Sequence, residues 1–389
     1  MINVVKKRAY LLGVLLALGS CSSDDSTGGT EVQTFQIEIE AKDATSSIRD
    51  FSDFTYEVYN QNTSKVLEGK LSPDGKAKVA LEVGNYNFKV EQLTVGFGSK
   101  LNVAINKAQV VEIPVELIKQ TLEGLVISEL FTAGEGAEDE YGEYVELADQ
   151  YVVIANNSNQ VKYLDGISYA ITNHWNKFPY NDIIAAALQE NAVYADVVYT
   201  FPGNGQDYPI QPGQEIVLAR SAKDFSEGGT NKMAANLSGA NFEIVMPTND
   251  TDNPKVPNMI VNGTTHTDLL GYGVGYAPAF LFKQEGNLTD FLNKNSQVVE
   301  SMFGTKTIFK IGTDLIIDGV ETGQVDQVKY KSLTNTVDRG FIAVTDTGTR
   351  EVYVRKTSTN EGNKKVYVDT NNSTADFQIR VGQRNFPAN

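Results

Sequence analysis

The sequence predicts a mainly β protein built from two sandwich-like units, and three observations carry that expectation. Apolar and polar residues alternate in short runs, most clearly Phe35, Ile37 and Ile39 against Gln36, Glu38 and Glu40. A period of two buries one face of a strand and wets the other. Turn-forming clusters such as Ser72-Pro73-Asp74-Gly75 punctuate the runs. The aromatic complement, 18 Tyr and 18 Phe against one Trp, suits strands.

The chain opens on Lys6, Lys7 and Arg8, followed by an apolar run over 9–18 and the small residues Gly19 and Ser20 before Cys21. Basic, apolar and small segments in that order make a secretory signal. The apolar run is about ten residues, against roughly twenty needed to cross a hydrocarbon core, so a retained anchoring helix is the weaker reading. Leu18-Gly19-Ser20-Cys21 resembles a bacterial lipobox. The resemblance implies a signal peptide at 1–20 and lipid on the Cys21 thiol. More than one acyl chain makes such anchoring stable, at about 0.8 kcal/mol per buried methylene. Cys21 is the only cysteine, so the chain forms no internal disulfide.

Residues 21–33 are polar and rich in Gly, Ser, Thr and Asp, the composition of a flexible tether. The acidic stretch Ser22-Ser23-Asp24-Asp25-Ser26 resembles the surface-export signal of Bacteroidetes lipoproteins. That resemblance implies an outer-membrane location, lipid-anchored and facing the medium.

The first folded unit is expected over 34–120. Phe54-Thr55-Tyr56-Glu57-Val58-Tyr59 continues the strand pattern, Ala77, Val79, Leu81 and Val83 alternate, and Tyr86-Asn87-Phe88-Lys89-Val90 follows. Val103-Ala104-Ile105 and the run over 110–117 complete a small sandwich. The stretch over 73–90 resembles prealbumin-like or carboxypeptidase-regulatory-like modules.

The second unit is expected over 121–389. Its strands are Leu125-Val126-Ile127-Ser128-Glu129-Leu130-Phe131, the run over 151–158 ending in Asn156-Asn157-Ser158, Val161 to Ile167 through Leu164-Asp165-Gly166, and Tyr208 to Ala219 through Pro212-Gly213. Tyr353-Val354-Arg355-Lys356 and then Asp369-Thr370-Asn371 to Asp376-Phe377 close it. This order resembles the lamin-tail domain, an immunoglobulin-like β-sandwich. The whole is similar to a family of Bacteroidetes surface lipoproteins of unknown function that contain such a domain and often neighbour TonB-dependent receptors.

Between about 220 and 340 the chain carries an insertion over a minimal lamin tail, read as mixed α/β. Ser221 to Glu227 is expected to make a helical turn, Thr289 to Met302 a helix capped by Thr289, and Thr313 to Glu321 a strand. Ahead of the insertion, the run over 180–194 places Ile183, Ile184, Ala187 and Leu188 on one face behind the cap Asn181, a short amphipathic helix.

Net charge is −16, and removing Lys6, Lys7 and Arg8 with the signal makes the mature chain more acidic still. Such a chain repels phosphate backbones, which disfavours nucleic acid, and no nucleic-acid partner is expected. No Gly-x-Ser-x-Gly is present, and a serine triad would have to use His174 or His266, the only histidines. Gly271-Tyr272-Gly273-Val274-Gly275-Tyr276 lacks the spacing and the strand–turn–helix frame of a dinucleotide loop. With 49 acids, carboxylate pairs carry no information by themselves.

Two candidate sites remain. Asp369, Asn371 and Asp376 cluster oxygen ligands for calcium, with Asn372 beside them, against the simpler reading of Asx-turns. Glu135, Glu138, Asp139 and Glu140, and Asn249, Asp250 and Asp252, form weaker clusters of that kind. His174-Trp175-Asn176-Lys177-Phe178-Pro179-Tyr180 holds the only tryptophan in a polar, turn-forming setting. Trp175, Asn176, Phe178 and Tyr180 therefore form the candidate ligand-binding surface, unless Trp175 plugs the core.

The expected function is non-enzymatic: a surface lipoprotein that captures a ligand or assists TonB-dependent uptake, with no cofactor beyond structural calcium. The uptake role rests on the family resemblance alone. Two readings stay open beside it, a glycan-binding or glycan-cleaving lipoprotein and a purely structural surface module. An exposed Trp175 favours binding, a buried one favours structure, and an enclosed carboxylate pair revives hydrolysis.

Overall fold

The structure, a computed structural model, describes residues 33–92, 95–117, 124–134, 137–138, 144–145, 149–172, 174–227, 233–245, 252–262, 270, 277–301, 304–361 and 364–388. The signal peptide, Cys21 and nearly all of the tether lie outside these residues, as do His266, the glycine-rich loop over 271–276, and Glu135, Asp139, Glu140, Asn249 and Asp250. Among the described residues no helix is long and apolar enough to cross a membrane.

The chain is mainly β, as its patterning predicts. In the first unit, Thr34–Lys42 is the middle of a three-stranded sheet, antiparallel to Lys76–Glu82 and parallel to Gln109–Pro114. The facing sheet runs Val66–Lys70, Thr55–Asn60, Gly84–Gln92, Gly96–Ile105, Glu116–Leu117. Alternation aims Ile37, Ile39, Val58, Phe88, Val90 and Ile113 into the core between the sheets. The chain changes sheets at Val115, so one apolar run supplies a strand to each. Ser72 to Gly75 turns as expected, Gly75 at φ +81° donating its N–H to the Ser72 carbonyl at 2.9 Å. Val83 departs from the pattern: it falls between two strands and is exposed.

The second unit is a larger sandwich. One sheet runs Phe242–Glu243, Glu215–Ala219, Tyr151–Asn156, Leu125–Phe131, Glu351–Arg355, Phe377–Val381. The other runs Ser296–Ser301, Gly304–Gly312, Ala192–Thr200, Ile167–Thr172, Ala279–Lys283, Ile316–Val320, with Ile260–Asn262 pairing beside Ala192–Thr200. Ile127, Val152, Ile154, Tyr169, Tyr199 and Tyr353 fill the core between them.

The segment read as a mixed α/β insertion contributes strands to the sandwich itself, with helix Leu288–Lys294 among them. Its strand Ala279–Lys283 pairs directly with Ile167–Thr172, and its hairpin Ser296–Ser301/Gly304–Gly312 forms an edge of the same sheet. Ala222, Ala235, Leu237, Ala240 and Val256 cover the outer face of the other sheet, packing on Phe131, Tyr151 and Val153. Strands covered on both faces read as continuous apolar runs rather than alternating ones, which is why Leu125–Phe131 and Tyr151–Asn156 are buried throughout.

Local expectations fare unevenly. Helix Asp182–Gln189 forms with Asn181 as its cap, the side chain accepting from the Ile184 N–H, and buries Ile184 and Ala187. The later helix is shorter than expected. It spans Leu288–Lys294, its cap is Asn287 rather than Thr289, and Ser296–Ser301 continues as a strand. The β-branched pair Val298-Val299 prefers that state. Ser221 to Glu227 forms no helix; Asp224 turns its carboxylate back onto Ser226 N–H and hydroxyl, the local bonding by which Asp competes with helix. Thr313–Leu315 is a 3-10 turn, and the strand begins only at Ile316.

Candidate functional site

The stretch over 174–180 leaves strand Ile167–Thr172 and enters helix Asp182–Gln189. Its centre is Asn176, fully buried. The Asn176 side-chain NH2 donates to Glu321 Oε1 at 2.9 Å and the Thr322 carbonyl at 2.6 Å, while the Asn176 backbone carbonyl accepts from the N–H groups of Lys329 and Tyr330. Asn176 is thus a buried peg for the loop.

Glu321 in turn accepts from the N–H groups of Ser332 and Leu333. Burial pushes its carboxyl up to about 7 against Lys331 and these hydrogen bonds. His174 is also buried; desolvation lowers it to about 4, opposed by a hydrogen bond to the Tyr330 backbone.

On this base Trp175 and Phe178 form an aromatic ledge, while Tyr180 packs separately on His174 and Tyr330. Trp175 is half-buried, with one side against the main core and the other stacked on Phe178, centroids 6.2 Å apart at 23°. Phe178 is 46% exposed and carries the Lys177 ammonium over its ring at 5.1 Å. Tyr180 is 38% exposed, packs edge-on to Tyr330, and donates its hydroxyl to the Lys331 carbonyl at 2.8 Å. Three of the four residues singled out in this stretch therefore offer ring surface, and the fourth holds them in place.

The carboxylates proposed for calcium surround a cation that is part of the chain. Arg355 is buried at the end of strand Glu351–Arg355. Its Nη1 lies 3.3 Å from Asp369 Oδ1 and 3.7 Å from Asp376 Oδ2, and its Nη2 lies 2.6 Å from Asp318 Oδ2. Asp376 also accepts from the Thr370 N–H and hydroxyl and from the Asn372 N–H. Asn371 sits at φ +52° and reaches Asp369 through its backbone N–H at 3.4 Å, so the Asx-turn reading describes that local geometry. Among the described residues no group of three or more His, Cys, Asp or Glu side chains is arranged to hold a metal.

A second charged cluster lies on the outer face of the sheet. Glu129 accepts from the Tyr151 hydroxyl at 2.5 Å and Arg380 Nη2 at 2.6 Å. Arg384 bridges Glu129, at 3.5 Å, to Glu215, at 2.9 Å. Burial acts upward on Glu215, but Tyr367, Arg384 and Lys365 carry it below its ordinary range. In both clusters arginine occupies the space between acids, where an acid–base pair acting on a glycosidic bond would need room for substrate and water.

Sequence reasoning missed Asp318, Glu321 and the Glu129–Arg384–Glu215 bridge. Asp369 and Asp376 stood out in the sequence only as clustered oxygen ligands; Asp318 had no signal, because only the tertiary fold brings its strand to Arg355.

Residues 211–384 match the model of a family described as "Protein of unknown function (DUF4876)". The fold is similar to the crystal structure of a DUF4876 family protein from Bacteroides thetaiotaomicron VPI-5482, at 22% identity and a TM-score of 0.54, over 88% of this chain and 94% of that one. A DUF3823 family protein from Parabacteroides merdae ATCC 43184 aligns over 46% of this chain and 96% of its own, at 11% identity and a TM-score of 0.20. No curated protein matches the chain.

Proposed function

We propose that this protein is a non-catalytic ligand-capture module, anchored by lipid on Cys21 to the outer surface of the outer membrane and serving a TonB-dependent receptor. The observation that carries the binding role is the Trp175–Phe178 ledge, with Tyr180 exposed on the same loop, which buried Asn176 pegs. Pre-organised aromatic surface binds without the entropy of ordering a loop. The leader and the residues around Cys21 support the anchor, and the strand order with its Asn-rich turn supports a lamin-tail-like second unit. The receptor partnership rests on the family resemblance. Pairing of the buried acids with Arg355 and Arg384 favours binding over glycan cleavage.

Trp175 is the only tryptophan, so its emission reports the ledge directly. The test titrates the protein separately with haem, oligosaccharides and peptides. A change in emission with one class, lost in Phe178→Ala, supports the reading. No response to any class, or a response unchanged in Phe178→Ala, overturns the ledge as a binding surface. Independently, Cys21→Ala must abolish fatty-acid labelling, or the anchor is withdrawn.

A further inference from the structure

Away from the ledge, the two units face each other across a cleft of about 390 Å³, lined by Phe97, Ser99 and Glu116 from the first and by Thr336, Arg339 and Asn371 from the second. That volume falls within the range of small-molecule sites, which favour boundaries between domains. The cleft is kept open by backbone. A side chain at Gly98 would collide with the Pro114 carbonyl oxygen, so only glycine fits where the first unit's strands meet the cleft wall.

Arg339 gives the cleft its chemistry. Its guanidinium lies over the Phe97 ring at 5.4 Å, joining the units, and its Nη2 donates to the Thr370 carbonyl at 2.7 Å. Its Nε is buried without a hydrogen-bond partner.

The surroundings decide what kind of ligand fits. Burial lowers the Arg339 pKa, and Glu91, Asp376, Asp338 and Glu116 oppose that, so four carboxylates act on one guanidinium. Of these, Glu116 lines the cleft itself, and its carboxylate repels a phosphate or carboxylate brought to Arg339. The remaining polar groups, Ser99, Thr336 and Asn371, both donate and accept. Hydroxyl groups match such a lining, and Pro114 and Leu117 add apolar surface.

We propose that this cleft is a second binding site, distinct from the aromatic ledge, that takes a neutral saccharide whose hydroxyls accept from Arg339, donate to Glu116 and exchange hydrogen bonds with Ser99 and Asn371.

The test is calorimetric titration of the full-length protein in detergent with neutral oligosaccharides of glucose, galactose, mannose and N-acetylglucosamine, and with inorganic phosphate as the anionic comparison. Thr336 is exposed, so Thr336→Trp fills the cleft without removing a core contact. Ser99→Tyr fills it from the opposite wall if the first variant melts early. The expected result is binding of at least one neutral series, weakened about tenfold or more by either filling variant and unchanged by Phe178→Ala. Absence of binding by every series overturns the proposal. So does binding insensitive to both filling variants, loss of binding in Phe178→Ala, or a preference for phosphate.

Discussion

Arg355 Nη2 lies 2.8 and 2.6 Å from the two carboxylate oxygens of Asp318, with both side chains almost wholly buried. Asp318 belongs to the strand Ile316–Val320 of one sheet and Arg355 to the strand Glu351–Arg355 of the other. Both also grip Ile127: Arg355 Nε donates to its carbonyl at 2.8 Å, and its N–H donates to Asp318 at 2.6 Å. The pair therefore bolts the two sheets together through the backbone of a third strand. Burial pushes Asp318 up to about 7 against the pull of Arg355, with repulsion from Asp369 added, and burial raises Asp376 as well.

Removing the guanidinium strands these acids in the interior. Arg355→Met is expected to cost about 3–5 kcal/mol, the range for breaking one partner of a buried ion pair. Arg355→Lys is expected to recover little, because an ammonium cannot reproduce the planar set of bonds to Ile127, Asp318 and Asp369. Chemical denaturation of the three proteins measures this. A loss under about 1 kcal/mol in Arg355→Met would sink the bolt as an energetic feature.

A pH dependence follows from His174 and Glu321, and the two act in opposite directions. His174 titrates near 4 in the folded chain against an ordinary 6.5, so the unfolded chain binds a proton the native one refuses. Its contribution is complete above 6.5 and is lost as the pH falls towards 4, by roughly 3 kcal/mol. Glu321 titrates near 7 against an ordinary 4.5, so the native chain keeps a proton the unfolded one has released. Its contribution is complete below 4.5 and is lost as the pH rises through 7. His174→Gln should remove only the first slope, so the stability difference between wild type and variant should grow from pH 4 to 6.5. Parallel stability curves across that window would contradict the burial of a neutral His174.

Asp165 shows how a short motif becomes a fold determinant. Its carboxylate accepts from the N–H groups of Gly205, Asp207 and Tyr208 at 2.8 to 3.0 Å, organising the loop that precedes strand Pro209–Ile210. Asp165→Ala should cost at least about 2 kcal/mol, since it leaves several N–H groups without an acceptor. Gly203 sits against this carboxylate at φ +120°, and an added Cβ would collide with Asp165 Oδ1. Gly203→Ala should therefore cost more than about 1 kcal/mol. Melting temperatures of both variants equal to wild type would remove Asp165 from this role.

What the sequence made legible follows the same division between local and distant effects. Strand Thr34–Lys42 was readable because one face meets a core and the other water, which writes a period of two into its residues. Asn181 was readable as a cap because capping involves only the next turn. The place of Ala279–Lys283 beside Ile167–Thr172 was not, since pairing across more than a hundred residues leaves no local pattern. The cluster at Asp369 and Asp376 was visible as oxygen ligands, but Arg355 as its cation follows only from tertiary packing. Trp175 was the hardest, because a half-buried ring satisfies both the core reading and the surface reading at once.

That double character yields the last prediction. Trp175 and Phe178 are stacked on each other, yet the first leans on the core and the second faces solvent. A fully buried Trp cut to Ala costs about 3–5 kcal/mol. Trp175 keeps part of its surface in water, so Trp175→Ala should cost roughly 2–3 kcal/mol. Phe178→Ala removes a ring that is nearly half exposed and should cost under about 1 kcal/mol. Removing Phe178 also uncovers the outer face of the indole, so the single-tryptophan emission of Phe178→Ala should shift to the red of wild type. Equal destabilisation by the two substitutions would mean that both rings belong to the core, and the ledge would then have no free face to offer. An unshifted emission in Phe178→Ala would mean that Phe178 does not cover Trp175, and the stacked pair would be lost as the physical basis for ligand capture.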